Sequence, residues 1–450
     1  MSVAASPRHA RTVPLLRLLP RLWRDPVNML ATLARDASGM IVRLPAGSPS
    51  LYLVSHPDHV QHVLRGNWEN YQRDGMLWRP VRRLLGQSIL SDGASWEASR
   101  RIMQPLLTAR KVASLAEEMA RTVNERVGEL EGYAVSGRTF DAAEELADLV
   151  NQTVIKVLFG GRLSRAAGHR LSLAYDRATR AIAFRLLMPS MPYSLRLPGD
   201  RTFMAAVKTI DEEILPMIRQ GCPHAPGDVF SALYQARAER GEGERQIRDD
   251  IVNMYSAAAE TTATALTWLW PTLDAHPDVA DRLRAEVDQV VGDGPVRASH
   301  LPELTYTSMV LRELMRLSPA AWLFPRVAEN ADRIDGVPIE AGAQVLISPY
   351  ATHRLDGFWD RPLEFDPERF APGAAERRHR YAYFPFGGGP HLCLGKPLFE
   401  MAAPLIIAAI LSRFRPTVRG GRPITPLPAA TLRPRQKVEL TLVHARREAA

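Results

Sequence analysis

Cys393 sits near the end of the stretch FPFGGGPHLCLG (residues 384–395) and is one of only two cysteines in 450 residues. Three glycines, a cysteine and then a long apolar run allow a phosphate cradle, a plain turn or a loop that presents a thiolate. A phosphate-binding loop needs four residues between its first glycine and a Gly-Lys pair, followed by Ser or Thr. Here five residues separate Gly389 from Gly395-Lys396, and Pro397 takes the place of the hydroxyl. The phosphate reading is therefore excluded. Zinc fares no better, because Cys222, His224 and Cys393 show none of the paired spacings of a zinc site. A plain turn and a loop that presents a single thiolate are the readings left open. A helix expected over residues 397–411 would favour the anionic sulfur through its N-terminal amides. The glycines let the backbone turn tightly and approach a flat group closely.

Other residue types stand out against their surroundings. The apolar run from Ile251 to Trp270 carries Glu260 and Thr261 after three alanines, Ala257-Ala258-Ala259. A carboxylate inside an apolar helix is costly without a partner or a task. The bland role for Thr261 is a bond to its own helix carbonyl, as common as a functional one. Glu313 and Arg316 lie at i and i+3, on one helix face. Trp96 and Arg100 are spaced i and i+4 in WEASR. A haem iron needs only one axial thiolate from its protein, which a lone cysteine satisfies.

Taken together, these residues resemble the cytochrome P450 haem-thiolate monooxygenases of the soluble bacterial type. Phe386, Gly389, His391, Cys393 and Gly395 match the cysteine-ligand loop, with His391 where arginine is commoner. The resemblance implies that Cys393 ligates the iron of haem b and that Phe386 and Gly395 flank it. It makes Glu313, Arg316 and Arg369 (in FDPERF) a structural triad. Trp96, Arg100, Arg326 and His391 become partners of the haem propionates, for which the arginine fork is suited. Ala257, Ala258, Glu260 and Thr261 fall on the oxygen-activating pattern. Thr261 would hydrogen-bond the bound oxygen, and Glu260 would relay protons from solvent. Ala258 departs from the usual glycine and narrows that space by a methyl. By position, Leu77, Trp78, Phe184, Met188, Met254, Ala321, Trp322, Leu323 and Thr431 are substrate candidates. A core-packing role for Trp322 is as well supported.

The activity so implied is insertion of an oxygen atom from O2 into a mostly apolar small molecule, or its oxidative coupling, cyclisation or desaturation, in bacterial secondary metabolism. A peroxide-driven enzyme or isomerase, or a non-catalytic haem sensor, is the alternative. No flavin or iron–sulfur module accompanies the motifs, so electrons are expected from NAD(P)H through an acidic ferredoxin and its reductase. Arg110, Lys111, Arg377, Arg378, Arg380 and Lys396 are the expected docking charges.

The elements that must position these groups are mainly helical. From about Trp96 to Gly292 the apolar periodicity is that of helices, with Val279, Leu283, Val287 and Val290 forming one stripe. GMIVRLPAGSPSLYLV reads as two short strands around a turn, followed by a helix with Ser55 as N-cap and Pro57 in its first turn. Strands return at residues 343–348 and 437–443, and Pro271 is expected to end the long helix. The expected fold class is mainly α with a small discontinuous β-sheet region, the P450 fold having a triangular helical body around a buried haem. A single domain over 1–450 is expected, with an N-terminal arm at 1–25 and a tail at 444–450.

Hydrophobic residues make up 46% and charged residues 24%, as in an ordinary globular chain. The net charge is +8, but only five of the 57 basic residues are lysines and none cluster into an arm. Nucleic-acid binding is therefore not expected. Two cysteines cannot build a disulfide framework, which points to a reducing, cytoplasmic setting. The N-terminal apolar patch is broken by Arg17, Arg21 and Arg24, and Glu260 and Asn253 interrupt the long run. No transmembrane segment is expected, and a monomer is.

Overall fold

A computed structural model describes residues 10–14, 24–44, 49–75, 78–182, 185, 191–192, 194–222, 228–374, 378–420 and 423–445. The chain falls into two compact units, each assembled from separated stretches. Neither unit is continuous in sequence, which is why no linker marks a boundary.

The first unit comprises Met1–Arg79, Arg312–Cys393 and Pro426–Arg433. Its centre is a six-stranded sheet in the order Arg11–Thr12, Val42–Leu44, Leu51–Val54, Gln344–Ile347, Phe324–Ala328 and Tyr71–Gln72. Leu51–Val54 runs parallel to Gln344–Ile347, whereas Phe324–Ala328 pairs antiparallel to it. Side chains alternate between the faces with period two. Leu53 and Leu346 therefore enter one apolar cluster with Leu30, Leu33 and Tyr350 of neighbouring helices. Tyr52, Val54, Val345 and Ile347 enter a second cluster with Val60, Tyr381 and Phe384. The helix after the first hairpin is capped by His56, not Ser55, with Pro57 in its first turn. Ser55 is fully buried at the strand end, and it is the His56 imidazole that accepts the Asp58 N–H, at 3.3 Å.

The second unit comprises Pro80–Leu311, Leu394–Thr425 and Pro434–Ala450. It is helical apart from a three-stranded sheet, in which Glu439–His444 lies between Phe414–Val418 and Phe140–Asp141. Its axis is the helix Glu244–Asp274, 31 residues or about 46 Å long. This helix packs on Ala142–Phe159, Asp200–Gln220 and Lys396–Arg413. It starts earlier than its apolar run because Arg248, Asp249 and Asp250 are buried with partners. It also continues through Pro271, which sits inside the last turn and does not end it. Proline at this point removes only the bond to the Thr267 carbonyl. The stripe of Val279, Leu283 and Val287 is buried, whereas Val290 is half-buried. Among the described residues, no helix is long and apolar enough to cross a membrane.

Candidate active site

In the first unit the cysteine loop is held by its own backbone. Gly387 N–H donates to Phe384 O at 2.9 Å, Leu392 N–H to Gly389 O at 3.1 Å, and Cys393 N–H to Phe386 O at 3.0 Å. Gly389 has φ +64° and lies so close to the neighbouring turn that a Cβ would fall 1.9 Å from Leu64 O. At Gly388 a Cβ would fall 2.4 Å from the Tyr381 ring. Glycine is thus demanded by contact as well as by conformation. The loop presents the Cys393 thiol in an exposed position, with Phe386 half-buried behind it. His391 meets the Trp68 ring edge-on, with centroids 5.3 Å apart.

The loop is preceded by a buried ionic cluster. Glu313 and Arg316 are fully buried and share a two-point contact at 2.7 and 2.8 Å. Arg369 Nε stands 3.4 Å from Glu313 Oε1, which also accepts the Asp366 N–H at 2.9 Å. The rest of the Arg316 fork donates to the carbonyls of His353, Pro362 and Glu364 at 2.9, 2.7 and 2.8 Å. Trp359 lies against both Arg316 and Arg378, whose guanidinium carbons stand 4.8 and 3.9 Å from its ring centroid. Arg378 also donates to Arg369 O at 2.9 Å. It is therefore half-buried and packed into this segment. Beside the cluster, burial pulls the Arg354 guanidinium down to about 10, and it bonds Tyr350 O and Leu317 O at 3.0 and 2.6 Å.

Several substrate candidates gather on the strand Phe324–Ala328 and the segment before it. Trp78 Nε1 donates to Pro325 O at 3.1 Å. Trp322 Nε1 donates to Ala429 O at 3.1 Å, and Leu432 N–H to Ala320 O at 2.9 Å. Ala321, Trp322 and Leu323 are half-buried, and Thr431 is buried. Trp322 and Leu323 also pack on the apolar cluster around Leu30 and Leu432, so the core role of Trp322 is visible. Arg326 is buried and donates to Pro325 O at 2.8 Å. Leu77, Phe184, Met188 and Arg377 lie outside the described residues.

In the second unit the long helix is buried at Ile251–Tyr255 and again at Thr262–Trp270. Between them Ser256, Ala258, Ala259, Glu260 and Thr261 are half-buried and Ala257 is exposed. Thr261 Oγ1 donates to Ala257 O at 2.6 Å, the common back-bond of a helical threonine. That bond occupies the hydroxyl proton and leaves the oxygen's lone pairs as acceptors. Met254 is buried one turn earlier. Trp96 is buried on the helix Gly93–Leu106, where Arg100 Nε bonds Gln104 Oε1 at 3.0 Å.

Sequence reasoning missed a dense polar anchor upstream of this opening. Asp250, fully buried, accepts from Ser88 and Ser99 at 2.5 and 2.7 Å and from Arg237 Nε at 2.7 Å. Burial pushes its carboxyl up, against the pull of Arg237 and the two hydroxyls. Asp249 Oδ2 accepts the Gln87 N–H at 2.9 Å, and Asn253 and Arg248 hold Leu85 O and Leu84 O at 2.7 and 3.0 Å. The segment following Trp78 is thereby fastened to the first turns of the long helix. In sequence these acids look like a solvated helix start.

The residues fit a haem-thiolate centre. In the first unit one accessible thiol stands on a loop that tolerates no Cβ at Gly388 or Gly389; in the second, taken by itself, the long helix is half-buried or exposed from Ser256 to Thr261, between two buried stretches. Among the described residues, no group of three His, Cys, Asp or Glu side chains is placed to hold a metal ion.

Comparison with known proteins agrees. The Cytochrome P450 family model matches residues 7–442. Cyclooctatin synthase of Streptomyces melanosporofaciens is 34% identical over 93% of this chain and 90% of its own. Pentalenene oxygenase of Streptomyces avermitilis is 25% identical over 96% and 95%. Among solved structures, the haem domain of cytochrome P450DA superposes with a TM-score of 0.86 over 98% of both chains. At 23% identity that likeness establishes the fold.

Proposed function

The chain belongs to the cytochrome P450 family and is a P450 monooxygenase; on that premise we propose that it oxygenates a mostly apolar, ring-containing molecule of terpenoid type. The observation carrying the substrate class is the 34% identity to cyclooctatin synthase across nearly the whole of both chains. A second Streptomyces melanosporofaciens relative, 32% identical, is a cyclooctat-9-en-7-ol 5-monooxygenase, and its name denotes an unsaturated alcohol. The half-buried Ala321, Trp322 and Leu323 supply an apolar wall suited to such a molecule.

When bound, haem ligated by the Cys393 thiolate supplies the activation of dioxygen. The chain's own residues do the remaining work. The loop bonds at Phe384, Phe386 and Gly389 fix the sulfur. The Glu313–Arg316–Arg369 cluster fixes the segment leading into the loop. Trp96, Arg100, Arg326 and His391 would be the donors that hold the haem propionates. Thr261 Oγ1, its proton held by Ala257 O, offers its lone pairs as a hydrogen-bond acceptor, and Glu260 beside it would carry protons in from solvent.

Electrons reach the protein from NAD(P)H through an acidic ferredoxin and its reductase in the cytoplasm. With Arg378 packed over Trp359, and Lys396 paired to Glu400 at 2.8 Å, we favour Arg110, Lys111 and Arg380 among the described residues as docking charges, with Arg377 kept as a candidate outside them. Raising ionic strength from about 0.05 to about 0.5 M should slow ferredoxin-dependent reduction several-fold; an unchanged rate removes the docking proposal. Turnover under isotopic 18O2, with a panel of terpenoid alkenes and alcohols beside polyketide and indole compounds, tests the function. One 18O atom in a terpenoid product supports it. Product formed from peroxide alone at an equal rate, or turnover restricted to the other classes, contradicts it.

A further inference from the structure

One buried side chain joins the ionic cluster to the cysteine loop, and no motif assigns it a role. His353 is fully buried, just past the helical turn Pro349–Thr352. Its Nδ1 lies 3.1 Å from the Arg316 carbonyl oxygen, which can only accept, so Nδ1 carries the proton. Its Nε2 lies 2.9 Å from the Phe384 N–H, which can only donate, so Nε2 is bare. Only the neutral Nδ1–H tautomer satisfies both neighbours. A second proton would set one donor against another in a dry site.

The remaining surroundings agree with that tautomer. Burial holds the His353 pKa well below its ordinary value. The positive charges of Arg316, Arg354 and Arg378 add to this, while the bond to the Arg316 carbonyl opposes it. The ring stacks on Tyr383 at 5.3 Å and meets Phe384 edge-on at 5.3 Å. The His353 carbonyl accepts from Arg316 Nη1 at 2.9 Å, so residues 316 and 353 are bonded in both directions. Phe384 in turn opens the loop whose last bond, Phe386 O to Cys393 N–H, fixes the cysteine.

We propose that His353 is a positioning residue of the thiolate site: its Nδ1–H tautomer ties Phe384 to the buried Glu313–Arg316 pair and so sets where the Cys393 sulfur is presented. This rests on Cys393 being the axial ligand. An apolar residue of equal volume would fill the space yet leave the Phe384 N–H and the Arg316 carbonyl without their bonds, a cost a packing role does not carry.

The test compares the holoprotein with its His353→Gln and His353→Asn variants. The Gln carbonyl reaches the position of Nε2 and can still accept the Phe384 N–H. The Asn amide reaches only the position of Nδ1 and cannot. Two quantities are read: hydrogen exchange of the Phe384 amide, and the fraction of ferrous carbon monoxide complex that is thiolate-ligated. His353→Asn should exchange about tenfold faster or more at Phe384 and lose a large part of the thiolate fraction. His353→Gln keeps the bond to Phe384 but loses the one to Arg316 O, so it should stay near wild type in exchange at Phe384 and fall between wild type and His353→Asn in thiolate fraction. A folded His353→Asn with wild-type exchange or a wild-type thiolate fraction overturns the proposal. If His353→Asn does not fold, His353→Gln decides: wild-type exchange at Phe384 with a reduced thiolate fraction supports the role, and faster exchange or an undiminished thiolate fraction overturns it. A wild-type protein without a thiolate signature defeats the haem-thiolate reading, a failure distinct from that of His353. The exchange comparison at Phe384 would still judge the anchor in that case.

Discussion

Replacing Glu313 by glutamine removes one negative charge and almost no volume from a site with no access to water. Glu313 and Arg316 are both fully buried, and the Arg369 side chain retains only 7% of its exposure. The substitution leaves two guanidiniums without their counter-charge. It also turns one of the two oxygens facing Arg316 into an amide NH2, a donor set against a donor. Breaking a buried pair in this way costs about 3–5 kcal/mol, against a total stability on the order of 5–15 kcal/mol. With a urea slope of about 3 kcal/mol per molar, the unfolding midpoint should fall by about 1 M or more. The assay is urea denaturation of the haem-free chain followed by far-ultraviolet circular dichroism, with Arg361→Ala as control. Arg361 also touches three carboxylates in this region, those of Asp360, Glu364 and Asp366, but its side chain is 56% exposed, and such solvent-screened pairs contribute little to stability. If Glu313→Gln moves the midpoint no further than Arg361→Ala does, the cluster is not the brace described here.

Two other perturbations separate causes that the structure entangles. Gly389→Ala should abolish haem uptake, because its Cβ would meet Leu64 O at 1.9 Å, whereas Gly241→Ala, with a similar φ of +68° and nothing within 4 Å, should cost only about 1 kcal/mol; equal haem occupancy in the two variants would show that contact at Gly389 is unimportant. Because the folded-state pKa of His353 lies well below the unfolded value of about 6.5, the unfolded chain takes up a proton that the folded one refuses. Stability should therefore fall as pH drops below about 6.5, by up to about 1.4 kcal/mol per pH unit. Urea midpoints at pH 7.5, 6 and 5 should show this slope reduced in His353→Gln, and an unchanged slope would contradict it. Asp332 does not confuse that window. Burial alone would raise its carboxyl, but hydrogen bonds from Tyr71, His62, the Arg333 backbone and Asn67 outweigh it and hold the value at about 2. Its contribution is present above the ordinary carboxylate range and is lost only as pH falls toward that value.

What the sequence made legible was whatever depends on local spacing. The cysteine loop, the acid–threonine pair in an apolar helix and the i, i+3 glutamate and arginine are each readable because their residues are neighbours along the chain. The mainly helical class and the short strands around residues 42–54 and 344–347 follow from periodicity in the same way. What stayed hidden depends on burial of polar groups by distant segments. Arg248, Asp249 and Asp250 look like a solvated helix start, yet Leu84, Ser88, Ser99, Arg237 and Gln87 close over them. Arg378 looks like a surface charge until Trp359 and Phe370 are seen beneath it. His353 carries no motif, and its importance lies in two backbone groups 37 and 31 residues away. The cap at His56 was misplaced by one residue because serine, the better cap by propensity, continues the buried end of the strand.

The central claim is that Cys393, presented by a glycine loop, is the single thiolate ligand of a haem. The absorption spectrum of the dithionite-reduced protein under carbon monoxide tests it most directly. A strongly red-shifted Soret band, lost in Cys393→Ala, is the expected result. A band at the position typical of histidine- or thiol-ligated haem, or no haem band at all, would contradict the account.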